Sequence, residues 1–543
     1  MRRVMIVPMM FLMGATAAPP PAPTLPVAGW CGGGMALADA PDPATVLLPG
    51  YGQGGFKIST KSAEAQAFFD NGMQLAHAFA HKAAIAAFKE ARRLDPDCAM
   101  CAWGEAWSSG PTINYGIDKD AAAKLTEIVA TAEKLATNGP ARERNLIGAL
   151  KQRYPAGAGT NNKAFAAAME QMAKLAPGDD EILTITADAL MIAADDWTAD
   201  TMQRPVELLE TVLKRSPDYA PAIHFYIHAT EGAGYPVRAE PYADRLKTIA
   251  PAASHLVHMP SHTYYWIGRY GDAATANVEA VGIDENNAVR LKLEGPDAAW
   301  KLSYHAHNVH FGIAGALMSG DAENALRLSR PLAAMATKTA KMDDFRQAVT
   351  GLGYVAIAHF APIEEALGIA KPAANNPVAT AMWHYARGEA LARRGDAGGV
   401  LAESRAIPKQ AAGGFGKVLS SLYAVNRLVL AGRAAMLRKR YDEAQHLFEQ
   451  AAAIEEAKPL STISDPPLFW YPVRRDVAAV LLAKGDAQGA LAAADASLKY
   501  RPRDPVALEL RARAQESLGN KAAAQRDRKA ALAAWRGGMR TLG

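Results

Sequence analysis

Apolar and small residues recur at helical spacing between positions 68 and 96 of the chain. The small residues Gly72, Ala84 and Ala91 would let two helices approach closely, and Phe88 would fill the gap between them. Pro96 would end the second helix before the next one begins. The full pattern is Phe68-x2-Asn71-Gly72-x2-Leu75, then Ala84-x3-Phe88-x2-Ala91 and Pro96. It predicts a helix-turn-helix hairpin.

Related spacing recurs along the chain. Ala444-x3-Phe448-x2-Ala451 repeats the second half of the pattern, and Ala490 precedes Ala524 by 34 residues. Pro217 and Pro251 are also 34 residues apart, whereas Pro177 precedes Pro217 by 40. A repeat near this length is typical of stacked helical hairpins, so we expect about ten to twelve pairs.

These motifs resemble the tetratricopeptide repeat family over most of the segment from Ser62 to Leu542. The resemblance implies an all-α, right-handed superhelical solenoid in which the first helix of each pair lines the concave surface. Composition agrees, since half of the residues are hydrophobic and runs of β-branched residues bounded by turns are scarce. A chain of 543 residues also exceeds the size of one compact core.

Four segments are predicted. Residues 1–38 form a signal peptide, residues 39–60 a linker or N-terminal arm, residues 61–290 a first set of repeats and residues 291–543 a second set. The second set ends in an arginine-rich capping helix. The stretches 157–162, 285–299 and 370–376 depart from the repeat pattern and are either long connections or a domain boundary.

The N-terminus has the features of an export signal. Arg2 and Arg3 precede a short apolar stretch, and small residues that suit cleavage follow near position 17 and again near position 38. After Ala38 we find no segment long and apolar enough to cross a membrane. We therefore expect a periplasmic or secreted protein in an oxidising compartment, where Cys98 and Cys101 would form a short disulfide.

Charge and motifs exclude several functions. The 59 basic and 55 acidic side chains give a net charge of +4, too even for a nucleic-acid surface. The chain has no phosphate-binding loop, no His-Glu-x-x-His and no Gly-x-Ser-x-Gly. The glycine pattern from Gly351 to Ala356 loosely matches a dinucleotide-binding motif. It lies in a helical stretch with no preceding strand, so we do not interpret it as a dinucleotide-binding site.

Eight of the thirteen histidines fall between positions 224 and 310, and they follow the repeat. His224 precedes His258 by 34 residues and His228 precedes His262 by 34, so each pair occupies equivalent places in consecutive hairpins. Spacings of three, four and seven residues place side chains on one helix face. His224, His228 and Glu231 therefore form one stripe, and His255, His258, His262 and Tyr265 a second.

These stripes predict a transition-metal centre in the concave groove. Two imidazoles at His-x3-His spacing on a helix face one point, and imidazole binds copper, zinc and iron. Copper is favoured because the ligands are mostly imidazoles in an oxidising compartment. The predicted ligands are His224, His228, Glu231, His255, His258, His262, His307 and His310.

The segment His-Met-Pro-Ser-His, positions 258–262, is also similar to a segment of secreted bacterial tetratricopeptide proteins. This similarity assigns no function to the chain. If the chain is an enzyme, metal-dependent oxidoreduction is the expected class, with no catalytic residue assigned and Tyr264, Tyr265 and Trp266 as neighbours. The alternatives are a metal-free scaffold that binds a peptide, protein or small molecule in the groove, and a metal storage or delivery protein. His305 is a candidate supporting residue, and His77 and His81 are expected to be structural.

Overall fold

The computed structural model describes residues 46–295, 297–463 and 466–537. This part of the chain contains twenty-five α-helices and three short 3-10 helices, and no β-strand occurs in it. The predicted all-α repeat solenoid is thereby confirmed. The predicted signal peptide and both cleavage points lie outside the described residues.

The helices of the first half include all those that carry the histidine stripes. Two 3-10 turns accompany them, at Pro236–Ala239 and Ala298–Lys301. In chain order the helices are α1 Ala63–His77, α2 His81–Leu94, α3 Ala99–Ser108, α4 Lys119–Leu135, α5 Ala141–Arg153, α6 Asn162–Leu175, α7 Asp180–Ala193, α8 Ala199–Arg215, α9 Ala220–Gly232, α10 Glu240–Ile249, α11 Ser254–His258, α12 Pro260–Ile267, α13 Tyr270–Arg290 and α14 His305–Ser319.

The helices of the second half continue the array as hairpins. A 3-10 turn lies at Leu460–Thr462. The helices are α15 Ala322–Ala336, α16 Asp344–Phe360, α17 Ile363–Leu367, α18 Pro377–Arg394, α19 Ala397–Ala406, α20 Gly416–Leu437, α21 Tyr441–Glu455, α22 Arg474–Lys484, α23 Ala487–Tyr500, α24 Pro505–Ser517 and α25 Lys521–Ala534.

The hairpin predicted from Phe68 to Pro96 corresponds to α1 and α2. The Ser62 side chain accepts a hydrogen bond from the Ala65 backbone N–H and so caps α1. The Phe88 ring is fully buried, and a Cβ at Gly72 or Gly104 would come within 2.8 Å or 2.3 Å of it. Glycine is therefore required on both helices that face this ring.

The N-terminal segment closes the early repeats against the histidine-bearing helices. Residues 46–60 run along α1, where the Asn71 side chain exchanges hydrogen bonds with the Leu48 backbone. The same segment reaches α9, where the Ala220 N–H donates to Gln53 Oε1, and the connection before α11, where the Ala252 N–H donates to the Gly50 carbonyl. Behind it, the C-terminal end of α1 contacts α9 directly. The inner face of the array is thus closed here.

The C-terminal end of the array also returns to the centre. The Arg536 guanidinium contacts Asp272 at 3.2 Å and Asp321 at 3.2 Å, beside α13 and α15. The Tyr270 hydroxyl donates to the Pro502 carbonyl at 3.0 Å. Both ends of the described chain therefore pack near α9 to α15, and within these ranges no helix is both long and apolar enough to cross a membrane.

Pro260 divides the helix that carries the second histidine stripe. α11 ends at His258, α12 begins at Pro260, and Met259 between them keeps right-handed helical angles. The chain therefore turns without leaving the helical path. His258 and His262 stay on one side of it despite the lost backbone donor.

We expect Phe88→Ala to loosen the first hairpin. The loss of a buried phenyl ring costs about 3–5 kcal/mol, because the facing glycines offer no side chain to fill the space. Hydrogen–deuterium exchange should quicken in α1 to α3 and stay unchanged in α20 to α25. Phe415→Ala, at a more exposed ring, is the matched control, and equal exchange in both variants would contradict the packing described.

Candidate metal centre

Four helices bring the predicted ligands together in the interior. α9 carries His224, His228 and Glu231, α11 and α12 carry the second stripe, and α14 carries His307. Each is the first helix of its pair or part of it, as the register predicts. All of these side chains are buried, and the most accessible, Glu231, exposes only 9% of its surface.

The side chains form three overlapping groups, each with ligand atoms within 4.8 Å of one another. We call His224, His228 and His255 the first triad, and His258, His262 and His307 the second triad. The third group consists of His228, Glu231 and His262, so it joins the two triads.

The second triad contains two imidazole nitrogens in direct opposition. Nε2 of His258 lies 3.0 Å from Nε2 of His262. The other nitrogen of each ring is held by a separate partner: Nδ1 of His258 lies 2.6 Å from Asn277 Oδ1, and Nδ1 of His262 lies 3.0 Å from Glu231 Oε2. Asn277 Nδ2 donates to the Ala273 carbonyl, which fixes the amide orientation.

These partners assign the tautomers. Asn277 Oδ1 and the Glu231 carboxylate accept hydrogen bonds, so Nδ1 of both rings carries the proton and both Nε2 atoms present lone pairs. Two lone pairs 3.0 Å apart repel unless a cation lies between them. Ligands at about 2.0–2.1 Å in a tetrahedral zinc site are about 3.3 Å apart, close to this separation.

His307 completes the second triad. Its ring centroid lies 4.7 Å from that of His258 and 5.5 Å from that of His262. Both of its ring nitrogens are buried without a hydrogen-bond partner among the described residues. A buried polar atom left in this state costs about 1–3 kcal/mol, which a bound ion would remove for the ligating nitrogen.

The first triad has a similar arrangement with less constraint. Nδ1 of His224 donates to the His77 carbonyl at 2.7 Å, so its Nε2 lone pair faces Nε2 of His255 at 3.1 Å. His255 can donate to this nitrogen, because no partner in the described chain fixes its Nδ1. Nε2 of His228 also lacks a partner there. The triad can hold an ion but does not require one.

Glu231 is oriented by Trp266. The indole Nε1 donates to Glu231 Oε1 at 2.7 Å, while Oε2 accepts from His262. A carboxylate behind an imidazole is the usual support of a metal-ligating histidine. Glu231 therefore supports His262 and also lies near enough to His228 to serve as a ligand.

Burial keeps most of the triad histidines neutral. Desolvation lowers the pKa of His224 to about 3, with repulsion from neighbouring histidines adding to the effect. Burial first, and neighbouring histidines second, lower the pKa of His228, His255, His258 and His307 well below the ordinary value. These neutral imidazoles are ready to bind metal.

Some predicted residues lie outside these groups. His310 belongs to none of the three, and its ring packs against Phe345 at 5.7 Å. His305 donates to Asp284 instead of supporting a triad.

The aromatic neighbours and the cysteines named from the sequence have structural partners. Tyr264 donates to Asp244, and the Tyr265 ring packs against Tyr270 and Phe311. Cys98 and Cys101 form a disulfide at the start of α3.

Other residues at the centre carry no sequence signal that marks them. Asn277 lies in the second helix of its hairpin, away from the histidine register. Phe79 and Tyr304 lie in loops, yet their rings are 5.0 Å and 4.3 Å from that of His255. His77, expected to be structural, holds His224 through its carbonyl and pairs with Glu181 through Nε2.

Comparisons with known proteins add no functional assignment. No family model and no curated protein matches the chain. Solved structures with similar helical arrays include the human IFIT1 dimer with m7Gppp-AAAA, at 13% identity and a TM-score of 0.30, covering 88% of this chain and 91% of that one. The Cut9–Hcn1 hetero-tetramer of the APC/C has 12% identity and a TM-score of 0.28, and the match covers 88% of this chain and 89% of that one. The structure of Naa15/Naa10 bound to HypK-THB has 12% identity and a TM-score of 0.23, and the match covers 87% of this chain and 70% of that one.

We expect the metal-free protein to lose stability as the pH falls below 6.5. Burial lowers the pKa of His310 to about 3, so between pH 6.5 and 3 the unfolded chain takes up a proton that the folded chain excludes. At pH 5 this costs about 2 kcal/mol for one such histidine. His310→Phe should therefore reduce the loss of unfolding free energy between pH 7.5 and pH 5 by about 2 kcal/mol, as measured by urea unfolding at both pH values.

His446→Gln is the control for this experiment, because His446 is exposed on α21. It should leave the dependence of the unfolding free energy on pH unchanged. An identical pH dependence for His310→Phe and the unsubstituted protein would show that His310 is not held neutral by burial.

Proposed function

We propose that this chain is an exported helical-repeat protein that carries a transition-metal centre, with the second triad as the principal site and the first triad as an adjoining one. The proposal is supported above all by the opposition of the His258 and His262 Nε2 atoms at 3.0 Å, with both tautomers fixed. Packing alone gives no reason to bury two lone pairs against each other.

Copper is the ion that we favour, with zinc and iron as alternatives. The triads offer imidazole nitrogens and no thiolate, and imidazole suits all three metals. Three protein ligands leave a coordination position for another molecule, as in catalytic metal sites. If the ion is copper, the chemistry that it supplies is electron transfer, so a metal-dependent oxidoreductase is the enzyme class that we infer.

The burial of the histidines bears on the alternatives. A scaffold that binds a peptide through these residues would need them on an accessible surface, whereas all six triad histidines are buried. A storage or delivery protein must release its metal readily. Ligands on four packed helices, supported by Asn277 and Glu231, favour a resident ion instead.

We expect purified protein to contain copper, zinc or iron at one to two ions per chain. Replacing His258 and His262 together by alanine should remove the ion of the second triad, because it deletes the opposed nitrogens. Elemental analysis of protein from the periplasm and of metal-free protein reloaded with each ion measures this.

The matched control replaces His384 and His446 by alanine, since these two histidines lie on α18 and α21, outside the centre. The control should retain the full metal content. Unsubstituted protein that neither contains metal nor binds added copper, zinc or iron would refute the proposed function.

Asn277→Ala should weaken metal binding about 10–100-fold without removing a ligand. The variant leaves His258 Nδ1 with only the Ser261 hydroxyl, which can donate as well as accept, so Nε2 no longer presents a lone pair in every molecule. Competition with a chelator measures the affinity. Asn426→Ala, at a buried asparagine in α20, controls for general destabilisation and should bind metal normally.

A further inference from the structure

A cavity of about 120 Å³ lies beside the first triad. The connection between α1 and α2, the start of α11, the C-terminal end of α13 and the loop that precedes α14 surround it. His255 is part of its wall. A cavity of about 150 Å³ holds a benzene molecule, so this one suits a ligand with a few carbon atoms.

The inner wall is mostly apolar but contains two histidines with unused nitrogens. Leu48, Phe79 and Tyr304 supply buried apolar surface. Nδ1 of His255 and both ring nitrogens of His81 have no hydrogen-bond partner in the described part of the chain. Both rings are more than nine-tenths buried. Polar atoms left in this state are explained by a ligand or water in the cavity.

Backbone strain marks the same wall. Phe79 and Tyr304 adopt left-handed backbone angles, with φ of 57° and 69°. Such angles cost a bulky residue about 1–3 kcal/mol, and they occur preferentially at ligand-binding sites. Here both strained residues place their rings against His255, at centroid distances of 5.0 Å and 4.3 Å.

The charged residues of the cavity are mainly cationic. Lys82, Arg290 and Lys301 line it, against the single carboxylate of Asp284. That carboxylate already accepts hydrogen bonds from His305 and Asn308. Arg290 and Lys301 are exposed, whereas Leu48, Phe79 and Tyr304 are buried, so positive charge lies at the mouth and apolar surface inside.

The geometry points to a binding site for a small aliphatic carboxylate, with its carboxylate at Arg290 and its alkyl end turned inward against the Phe79 and Tyr304 rings. Arg290 is suited to this role because a guanidinium binds carboxylates through paired hydrogen bonds. Its present partners are the Tyr51 hydroxyl and the Asn287 side chain, both at the same wall. That this ligand is the substrate of the centre rests on the proposed function.

The test uses the metal-free full chain with isobutyrate as probe and neutral isobutyramide as its isostere. Ligand-observed NMR titrations should show that isobutyrate binds at least ten times more tightly than isobutyramide. Arg290→Gln should weaken isobutyrate binding at least tenfold. Ala83→Leu, which fills the cavity and keeps its charges, should abolish binding, and circular dichroism confirms that both variants are folded.

Arg526→Gln, at an exposed arginine on α25, is the matched control and should bind isobutyrate like the unsubstituted chain. Equal binding of acid and amide, undiminished binding by Ala83→Leu, or no binding of isobutyrate would overturn the site. Inorganic phosphate that competes as strongly as isobutyrate would overturn the organic ligand class.

A second arm separates this inference from the proposed metal centre. In copper-loaded protein, isobutyrate should shift the visible absorption of the ion, and Arg290→Gln should require at least tenfold more isobutyrate for the same shift. Binding without any shift would overturn the substrate role. Since the first titrations need no metal, a chain that binds isobutyrate but no metal would refute the metal centre and retain the carboxylate site.

Discussion

The opposition of the His258 and His262 nitrogens is the constraint on which the interpretation of this protein depends. Most buried polar groups in proteins are paired, and a neutral imidazole satisfies this rule by donating from one nitrogen and accepting at the other. Asn277 and Glu231 use the donor of each ring, so two acceptors face each other at 3.0 Å. A cation is the simplest group that turns this repulsion into attraction.

Closure of the helical array creates the environment in which this constraint acts. In an open solenoid, histidines on the inner face would be solvated and would titrate near their ordinary pKa. Here α1 contacts α9, and the extended segment over residues 46–60 covers the same helices. Most of the covered histidines lose solvation, so their pKa values fall and they remain neutral ligands. The fold thus affects the chemistry through burial as well as through position.

The repeat register allowed the fold and much of the centre to be predicted, because both follow from local spacing. Phe88 with its facing glycines, and the 34-residue interval from His224 to His258, are visible in one hairpin or two. His310 is also among the predicted ligands but lies against Phe345. The burial of the groove, the support from Asn277 and the cavity beside His255 all require contacts between distant segments, which no local pattern specifies.

The strained loops and the cationic mouth suggest why the two triads differ. The second triad is enclosed by protein and has its tautomers fixed, which suits an ion that stays in place. The first triad has the less constrained His255, whose ring contacts Phe79 and Tyr304 at the wall of the cavity. A ligand that enters there reaches the first triad without disturbing Asn277 or Glu231. The two strained aromatic residues thus lie at the wall of the cavity, beside the first triad and not the second.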